Sequence, residues 1–457
     1  MAKSRKTARA GGPRGSEGTE DLRATHIVLF RERIDENAEM MAKVMSLVPR
    51  NGGNGGMGPL AMGLGGADIA NAHIHAELGC ASVIASEADV ERLRNAAEVE
   101  GVFPNEVRTL PSPVTETTAQ PAPPLIGLDY LRGLRDGIDQ ALAVLAAGTR
   151  PEFRPPASLF RSASAHVDTP THTWGLAAIG LTKAERPTGR GVKVAVLDTG
   201  IDEAHPDFRD RLITDNLRSF VRGEPVTDGH GHGTHCCGTV NGPQRPNGSG
   251  RAYGVAPDAT LLVGKVLSNA GRGEDSTIIE GIQWAVEAGA RVISMSLGSP
   301  RRPGDPYSQL YERIAERLLR PRKGNGTLIV AAAGNESRRP NSLGAVGNPA
   351  ACPSILSVAA VGSDLGVAPF SSRQLDGIGA VDVAAPGVGV YSSWPGGAYN
   401  FLSGTSMATP HVAALAALMF EFEPDMSALE AWDRLKLRAR PLGDPLDLGA
   451  GLIQLTV

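Results

Sequence analysis

VKVAVLDTGID, residues 192–202, is the stretch on which the architecture of this 457-residue chain turns. VKVAVLD is an almost unbroken apolar run rich in β-branched side chains, the mark of a parallel strand covered on both faces. It ends on Asp198, and a carboxylate there is costly to bury unless it accepts hydrogen bonds. TLLVGKVL (260–267), RVISMSL (291–297), TLIVAAAG (327–334) and SILSVAAVG (354–362) repeat the strand pattern. Between them lie helical runs, STIIEGIQWAVEAG (276–289) and YSQLYERIAERLL (307–319). In the second, Tyr307, Leu310, Tyr311, Ile314 and Leu318 line one face. This alternation predicts an α/β domain over 174–457, a doubly wound, mostly parallel sheet with helices on both faces. A site in such a sheet lies at the carboxyl ends of the strands.

Upstream, residues 1–23 read as a basic, disordered leader. Residues 24–110 read as a small α+β domain. HIVLF (26–30) has strand character, and ENAEMMAKVMSLV (36–48) is helical in composition. After the glycine-rich loop NGGNGGMGPLAMGLGG (51–66), AHIHAELGCASVIA (72–85) reads as a strand and SEADVERLRNAA (86–97) as a helix capped by Ser86. VFPNEVRTL (102–110) is expected to close the domain as its last strand. With one further strand near the loop, this order suits a ferredoxin-like split-βαβ module. Residues 111–173 form a proline-rich linker with a helix at about 125–147, read as a plain tether.

A net charge of -4 with both signs interspersed argues against nucleic acid or a membrane as partner. No apolar run reaches the roughly 18 residues of a membrane span, and none follows the basic leader as a secretory signal would. An intracellular location is therefore expected. Four cysteines, two of them adjacent, make no disulfide framework at this length, so free thiols are expected.

Candidate chemistry falls in four loops. Asp198 follows its strand, and an aspartic protease is excluded because no second Asp-Thr-Gly or Asp-Ser-Gly exists to share a proton. DGHGHGTHCCGT (228–239) crowds His230, His232, His235, Cys236 and Cys237 together. A zinc hydrolase is one reading of that cluster. It lacks further ligands at zinc spacing, since His166, His172 and His411 are scattered. SGTSMATPHVAALAALMF (403–420) places Ser406 in a tight turn, with Pro410 starting an apolar helix. A serine hydroxyl needs a base to take its proton and an acid to orient that base. AAAGNES (331–337) sets the amide of Asn335 beyond a buried strand, where it can serve a developing oxyanion.

Six motifs in order now carry a resemblance: VAVLDTGIDEAHPDF, GHGTHCCGTV, GVAPDATLLVGKVL, SMSLG, AAAGN and GTSMATPHVA. Residues 174–457 resemble subtilases, subtilisin-like serine proteases of the subtilisin and proteinase K kind, in which the order is Asp, His, Ser. The resemblance implies an endopeptidase working through an acyl-enzyme, with Asp198, His232 and Ser406 as triad and Asn335 in the oxyanion hole. No cofactor is implied for the chemistry. It implies that Gly271, Arg272 and Gly273 on one side, and Ser296, Leu297 and Gly298 on the other, pair with an extended peptide. Ala332, Ala333 and Gly334 would wall the pocket for the residue before the cut, and Gly347 would floor it, leaving room for large apolar side chains. Glu274 and Asp275 stand in a loop that often carries an aromatic residue, which points to basic residues further upstream in the substrate. His235 is expected to make a structural hydrogen bond, His230 to flank the cleft, and Cys236 to be buried and inert. Structural calcium is common in the family, and Asp207 matches one usual ligand, although PQRPNGSG (243–250) departs from the usual partner loop. Residues 24–110 resemble the propeptide that templates folding and inhibits the protease, apart from the glycine-rich insert. This implies a zymogen cutting itself between 108 and 172, whose partners are protein or peptide substrates and its own N-terminal domain. A catalytically silent binding protein on the same fold is disfavoured because every triad position is intact.

Overall fold

A computed structural model of the chain describes residues 24–32, 46–47, 68–69, 72–111, 165–183, 185–248 and 250–455. The leader, the glycine-rich loop, most of the helix at 36–48 and the linker helix at 125–147 lie outside those residues. The chain divides into two compact units, Met1–Asn105 and Glu106–Val457.

In the first unit, strands β1 (His26–Phe30), β2 (Asp68–Ile69), β3 (Ala72–His75), β4 (Cys80–Val83) and β5 (Val99–Pro104) form one antiparallel sheet in the order β2-β3-β4-β1-β5. Helix α1 (Glu87–Arg94) starts at a reciprocal cap. The Ser86 hydroxyl accepts from the Asp89 N–H at 3.3 Å, and the Asp89 carboxylate accepts from the Ser86 N–H at 3.1 Å. Val90 and Leu93 of this helix share a core with Val28, Phe30, Ile74 and Val83. The order β3-β4-β1-β5 is that of the split-βαβ module, with two corrections. Residues 72–85 are a hairpin rather than one strand, because the chain turns at Ala76–Gly79 and Gly79 takes φ 66°. A residue without Cβ adopts that conformation freely. The segment 102–110 also divides. Pro104 ends β5, and Asn105 ties the end down by donating its N–H to Thr25 O and its side-chain amide to Ala24 O. Strand β6 (Val107–Thr109) then belongs to the second unit.

That unit is built on a seven-stranded parallel sheet. Its strands are β7 (Lys193–Asp198), β8 (Leu217–Ser219), β9 (Thr260–Lys265), β11 (Val292–Met295), β12 (Leu328–Ala332), β13 (Leu356–Val361) and β14 (Val383–Pro386). A short strand, β10 (Arg272–Glu274), pairs with β6 outside it. The sheet order is β14-β13-β12-β11-β7-β9-β8, so β7 lies inside, flanked by β11 and β9. The five expected strands are all present, whereas β8 and β14, of three and four residues, are too short to show a pattern. The helices of ten or more residues are α2 (His232–Asn241), α3 (Asp275–Glu287), α4 (Gln309–Leu319), α5 (Thr405–Phe422) and α6 (Ala428–Leu437). Nearly every residue of α5 is buried, and it packs on β11, β12, β13 and β14. A helix apolar all round can be stable only inside the protein. No helix among the described residues is long and apolar enough to cross a membrane.

Candidate active site

Three elements deliver three side chains to one place. Asp198 is the last residue of β7, His232 the first of α2 and Ser406 the second of α5. The His232 ring nitrogen Nδ1 lies 2.8 and 3.0 Å from the two Asp198 carboxylate oxygens. One of those oxygens also accepts the Thr199 N–H at 2.7 Å, so a wholly buried carboxylate is satisfied. Burial presses the His232 pKa down, but the charge and hydrogen bond of Asp198 outweigh it and hold the pKa above the usual 6.5. With Nδ1 committed to Asp198, the other ring nitrogen is the one available to a proton on substrate or nucleophile.

The start of α2 is held by close packing and by one carboxylate. Gly231 precedes the helix with φ 99°, in the left-handed region. At Gly233 a Cβ would stand 2.3 Å from the Gly200 carbonyl oxygen, so only glycine lets the helix approach the Asp198 loop. Buried Asp228 accepts the N–H groups of His230, Gly231 and Thr234 and the hydroxyls of Thr199 and Thr234, at 2.7–2.9 Å. Burial would raise its pKa, but these donors hold it below the ordinary carboxylate value. Asp228 thereby joins the His232 helix to the residue after Asp198. The sequence reading did not single it out.

Pro410 does not start α5, which begins five residues earlier at Thr405, and lies inside the helix. Proline has no N–H to give the carbonyl four residues back. That carbonyl is Ser406 O, which instead accepts the Ser296 hydroxyl at 2.8 Å and the Cys236 thiol at 3.6 Å. Asn335 is oriented by Thr405, whose N–H and hydroxyl both donate to the amide oxygen at 2.9 Å. This network assigns the amide so that its nitrogen lies on the other side, beside Gly404. Thr405 is thus a second residue that the sequence reading missed, although it lay inside a quoted motif.

His232, Ser406 and Asn335 line one cleft of about 520 Å³, together with His230, Gly271 and Trp394. Residues 106–111 of the chain lie along it as an extended strand. Thr109 exchanges both backbone hydrogen bonds with Gly298, at 3.0 and 2.9 Å, and Leu110 N–H donates to Gly271 O at 3.1 Å. On the β10 side Thr109, Arg108 and Val107 face Arg272, Gly273 and Glu274. Pro111 borders both this cleft and an adjoining pocket lined by Leu297, Ala332, Gly334, Glu336 and Gly347. Ala333 lies behind that wall, donating its N–H to Val358 O and accepting from the Gly347 N–H. Glu336 was not expected in the pocket; burial raises its pKa, and the Ser372 hydroxyl donates to it at 3.0 Å.

The other imidazoles separate from this chemistry, while the Cys236 thiol lies 3.8 Å from His232 Nδ1. His235 is buried, bonds Val390 O through Nε2 at 2.9 Å, and has its pKa lowered to about 3, chiefly by burial. His230 stays at the cleft rim. The three histidines do not converge as a zinc site; among the described residues the group at metal-ligand spacing is Asp198, His232 and Cys236. All four cysteines are free and buried, and burial pushes both the Cys236 and Cys237 thiols up. The calcium expectation at Asp207 meets a poor donor set. One carboxylate oxygen accepts the Asn247 N–H, and the other accepts the hydroxyls of Tyr253 and Tyr399, each at 2.7 Å. Protons point at the carboxylate where a cation would sit, and the residues present do not fit the ion.

A parallel sheet that brings Asp, His and Ser to the carboxyl ends of its strands, beside a strand-binding cleft, defines a subtilisin-like α/β protein. The profile of the Subtilase family matches residues 189–450, more than half of the chain, and the chain belongs to that family. Subtilisin E of Bacillus subtilis (strain 168) is 42% identical over 268 residues, covering 58% of this chain and 65% of its own length. The chain therefore spans just under two thirds of that relative. Subtilisin DY of Bacillus licheniformis is 40% identical over 281 residues, covering 60% of this chain and 95% of its own. An intracellular serine protease of Paenibacillus polymyxa is 39% identical over 277 residues, with 59% and 80% covered.

Proposed function

We propose that this protein is a serine endopeptidase made as a self-inhibited zymogen. The observation that carries the reading is the His232–Asp198 pair, at 2.8 and 3.0 Å, opening into the cleft that Ser406 and Asn335 also line. Ser406 Oγ attacks the carbonyl carbon of the bond to be cut while His232 takes the hydroxyl proton. Asp198 holds the ring in the needed tautomer and stabilises the imidazolium. The oxyanion of the tetrahedral intermediate is met by the Asn335 side-chain amide at the N-terminal end of α5, where backbone N–H groups add to the field. His232 then passes its proton to the leaving amine. Water activated by the same ring releases the acyl group.

The pairing of residues 106–110 with both cleft edges supports intramolecular inhibition by strand addition. Pro111 borders both the cleft that Ser406 lines and the adjoining pocket, which points to Pro111–Ser112 as the bond cut, within the expected window of 108 to 172. The split-βαβ unit that precedes this strand is assigned the role of folding template. Ala332, Gly334 and Gly347 favour apolar side chains in the pocket before the cut, which the Glu336 carboxyl also lines. Buried free thiols suit an intracellular, reducing location.

A fluorophosphonate probe is expected to label the wild-type protein at Ser406 and to leave Ser406→Ala unlabelled. Labelling elsewhere, or metal-dependent hydrolysis insensitive to the probe, would refute the reading. Mass spectrometry of the wild type should find a mature N-terminus at Ser112. A Ser406→Ala chain made alone that is shortened to the same point would rule out self-processing.

A further inference from the structure

Resting on the endopeptidase reading, we infer that Asp275 makes this enzyme select arginine at the fourth position before the cut. Arg108 holds that position when the presented bond is Pro111–Ser112. Its guanidinium grips Asp275 through two parallel bonds, Nε to Oδ1 at 2.7 Å and Nη2 to Oδ2 at 2.8 Å. Nη1 donates to the Ser299 hydroxyl at 2.7 Å, and Glu106 approaches Nη2 at 2.8 Å from the strand itself. The buried Tyr311 hydroxyl donates to Asp275 at 2.8 Å, and the guanidinium carbon lies 5.6 Å from the Tyr311 ring centroid.

The pocket is built for a charge. Arg108 is 5% exposed and Asp275 1% exposed, so neither ion is well hydrated. A buried ion pair is tolerated only with good geometry and satisfied donors, and removing one partner leaves a costly lone charge. When residues 106–111 leave the cleft, Asp275 loses its counter-ion. A substrate with an apolar residue there would bury the carboxylate unpaired, whereas an arginine restores the pair. The two-pronged contact further separates arginine from lysine, whose ammonium makes a single point contact. Glu274 stands one residue further along the edge, opposite Val107, and belongs to the strand pairing instead.

The test uses acetyl-Xaa-Thr-Leu-Leu-p-nitroanilides with Xaa as Arg, Lys, Ala or Glu. They are assayed on the full chain after its own maturation and on Arg108→Ala, whose segment no longer competes for Asp275. Rates are taken per fluorophosphonate-labelled site. Arg is expected to exceed Ala in kcat/KM by roughly 30-fold or more, with Lys between and Glu lowest. Asp275→Asn should collapse the Arg/Ala ratio to within about threefold. Equal kcat/KM for Arg and Ala on labelled enzyme overturns this inference and leaves the endopeptidase reading standing. Failure of Ser406 to label at all takes down both. If Asp275→Asn does not fold, the wild-type Arg/Ala ratio decides alone.

Discussion

Asp228→Asn removes one charge and one acceptor from the network beneath the His232 helix, with almost no change in volume. The wild-type carboxylate takes five donors: the Thr199 hydroxyl and the His230 and Gly231 N–H groups on Oδ1, and the Thr234 N–H and hydroxyl on Oδ2. An asparagine oxygen placed at Oδ1 keeps three of them. Its NH₂ then faces the Thr234 pair. The Thr234 hydroxyl can rotate and accept, although it already accepts the Asp202 N–H at 3.0 Å. The Thr234 N–H cannot adapt and is left without a partner in a fully buried site. One unmet buried donor costs about 1–3 kcal/mol, and loss of charge assistance adds to it. A total of about 2–4 kcal/mol is expected. Urea unfolding of both proteins on a Ser406→Ala background, which prevents self-digestion, measures it. The pH dependence supplies a second check. Because the folded pKa lies below the ordinary 3.8, the stabilisation is present above that value and is lost as pH falls through the folded pKa. The gap between the two proteins should therefore close in strong acid. A loss under about 1 kcal/mol at neutral pH, or a gap that does not change with acid, would refute the account.

Asn335→Ala should lower kcat about 10²–10³-fold with KM little changed, a magnitude taken from the corresponding asparagine of subtilisin, and steady-state kinetics would show it. Because Asp198 holds the His232 pKa above 6.5, kcat/KM should fall as pH drops through an inflection above that value. In Asp198→Asn burial is opposed by the charge of Asp228 without the Asp198 carboxylate, and any residual activity should inflect lower. Asp207→Asn should cost about 1–3 kcal/mol through its buried hydroxyl and N–H partners. A chelator should shift the Tm of the Asp207→Asn protein and the wild type equally; a chelator effect confined to the wild type would show that Asp207 holds an ion.

Strong local patterns survived the step from sequence to structure, and weak or conflicting ones did not. The five buried strands and both amphipathic helices were legible because apolar periodicity reports which faces meet the core. Hairpin β3–β4 read as one strand because its turn, Ala76–Gly79, carries a single glycine signal inside an apolar run. Pro410 was read as a helix start because proline favours first turns, but tertiary burial of α5 outweighs the lost hydrogen bond. The Ser296 hydroxyl and Cys236 thiol take up the freed Ser406 carbonyl.

The residue types proposed for the site, and the order Asp198, His232, Ser406, could be picked out of the linear chain, since a candidate nucleophile, base and orienting acid are chemically distinct. Long-range contacts decided the rest. Thr405 and Glu336 act through partners far away in the chain, as Asp228 does through Thr199, and no local period encodes such a contact. The same holds for Arg108 and Asp275, separated by 167 positions. In the sequence the first sits at the end of a presumed domain strand, and the second in a loop whose acidic pair pointed to basic substrate residues without naming Arg108 as a partner. Only the fold lays one inside the other's pocket. The stretch around Asp198 could announce a buried parallel strand because both of its faces are apolar. What its terminal carboxylate would meet depended on helices and loops that the strand's own residues do not specify.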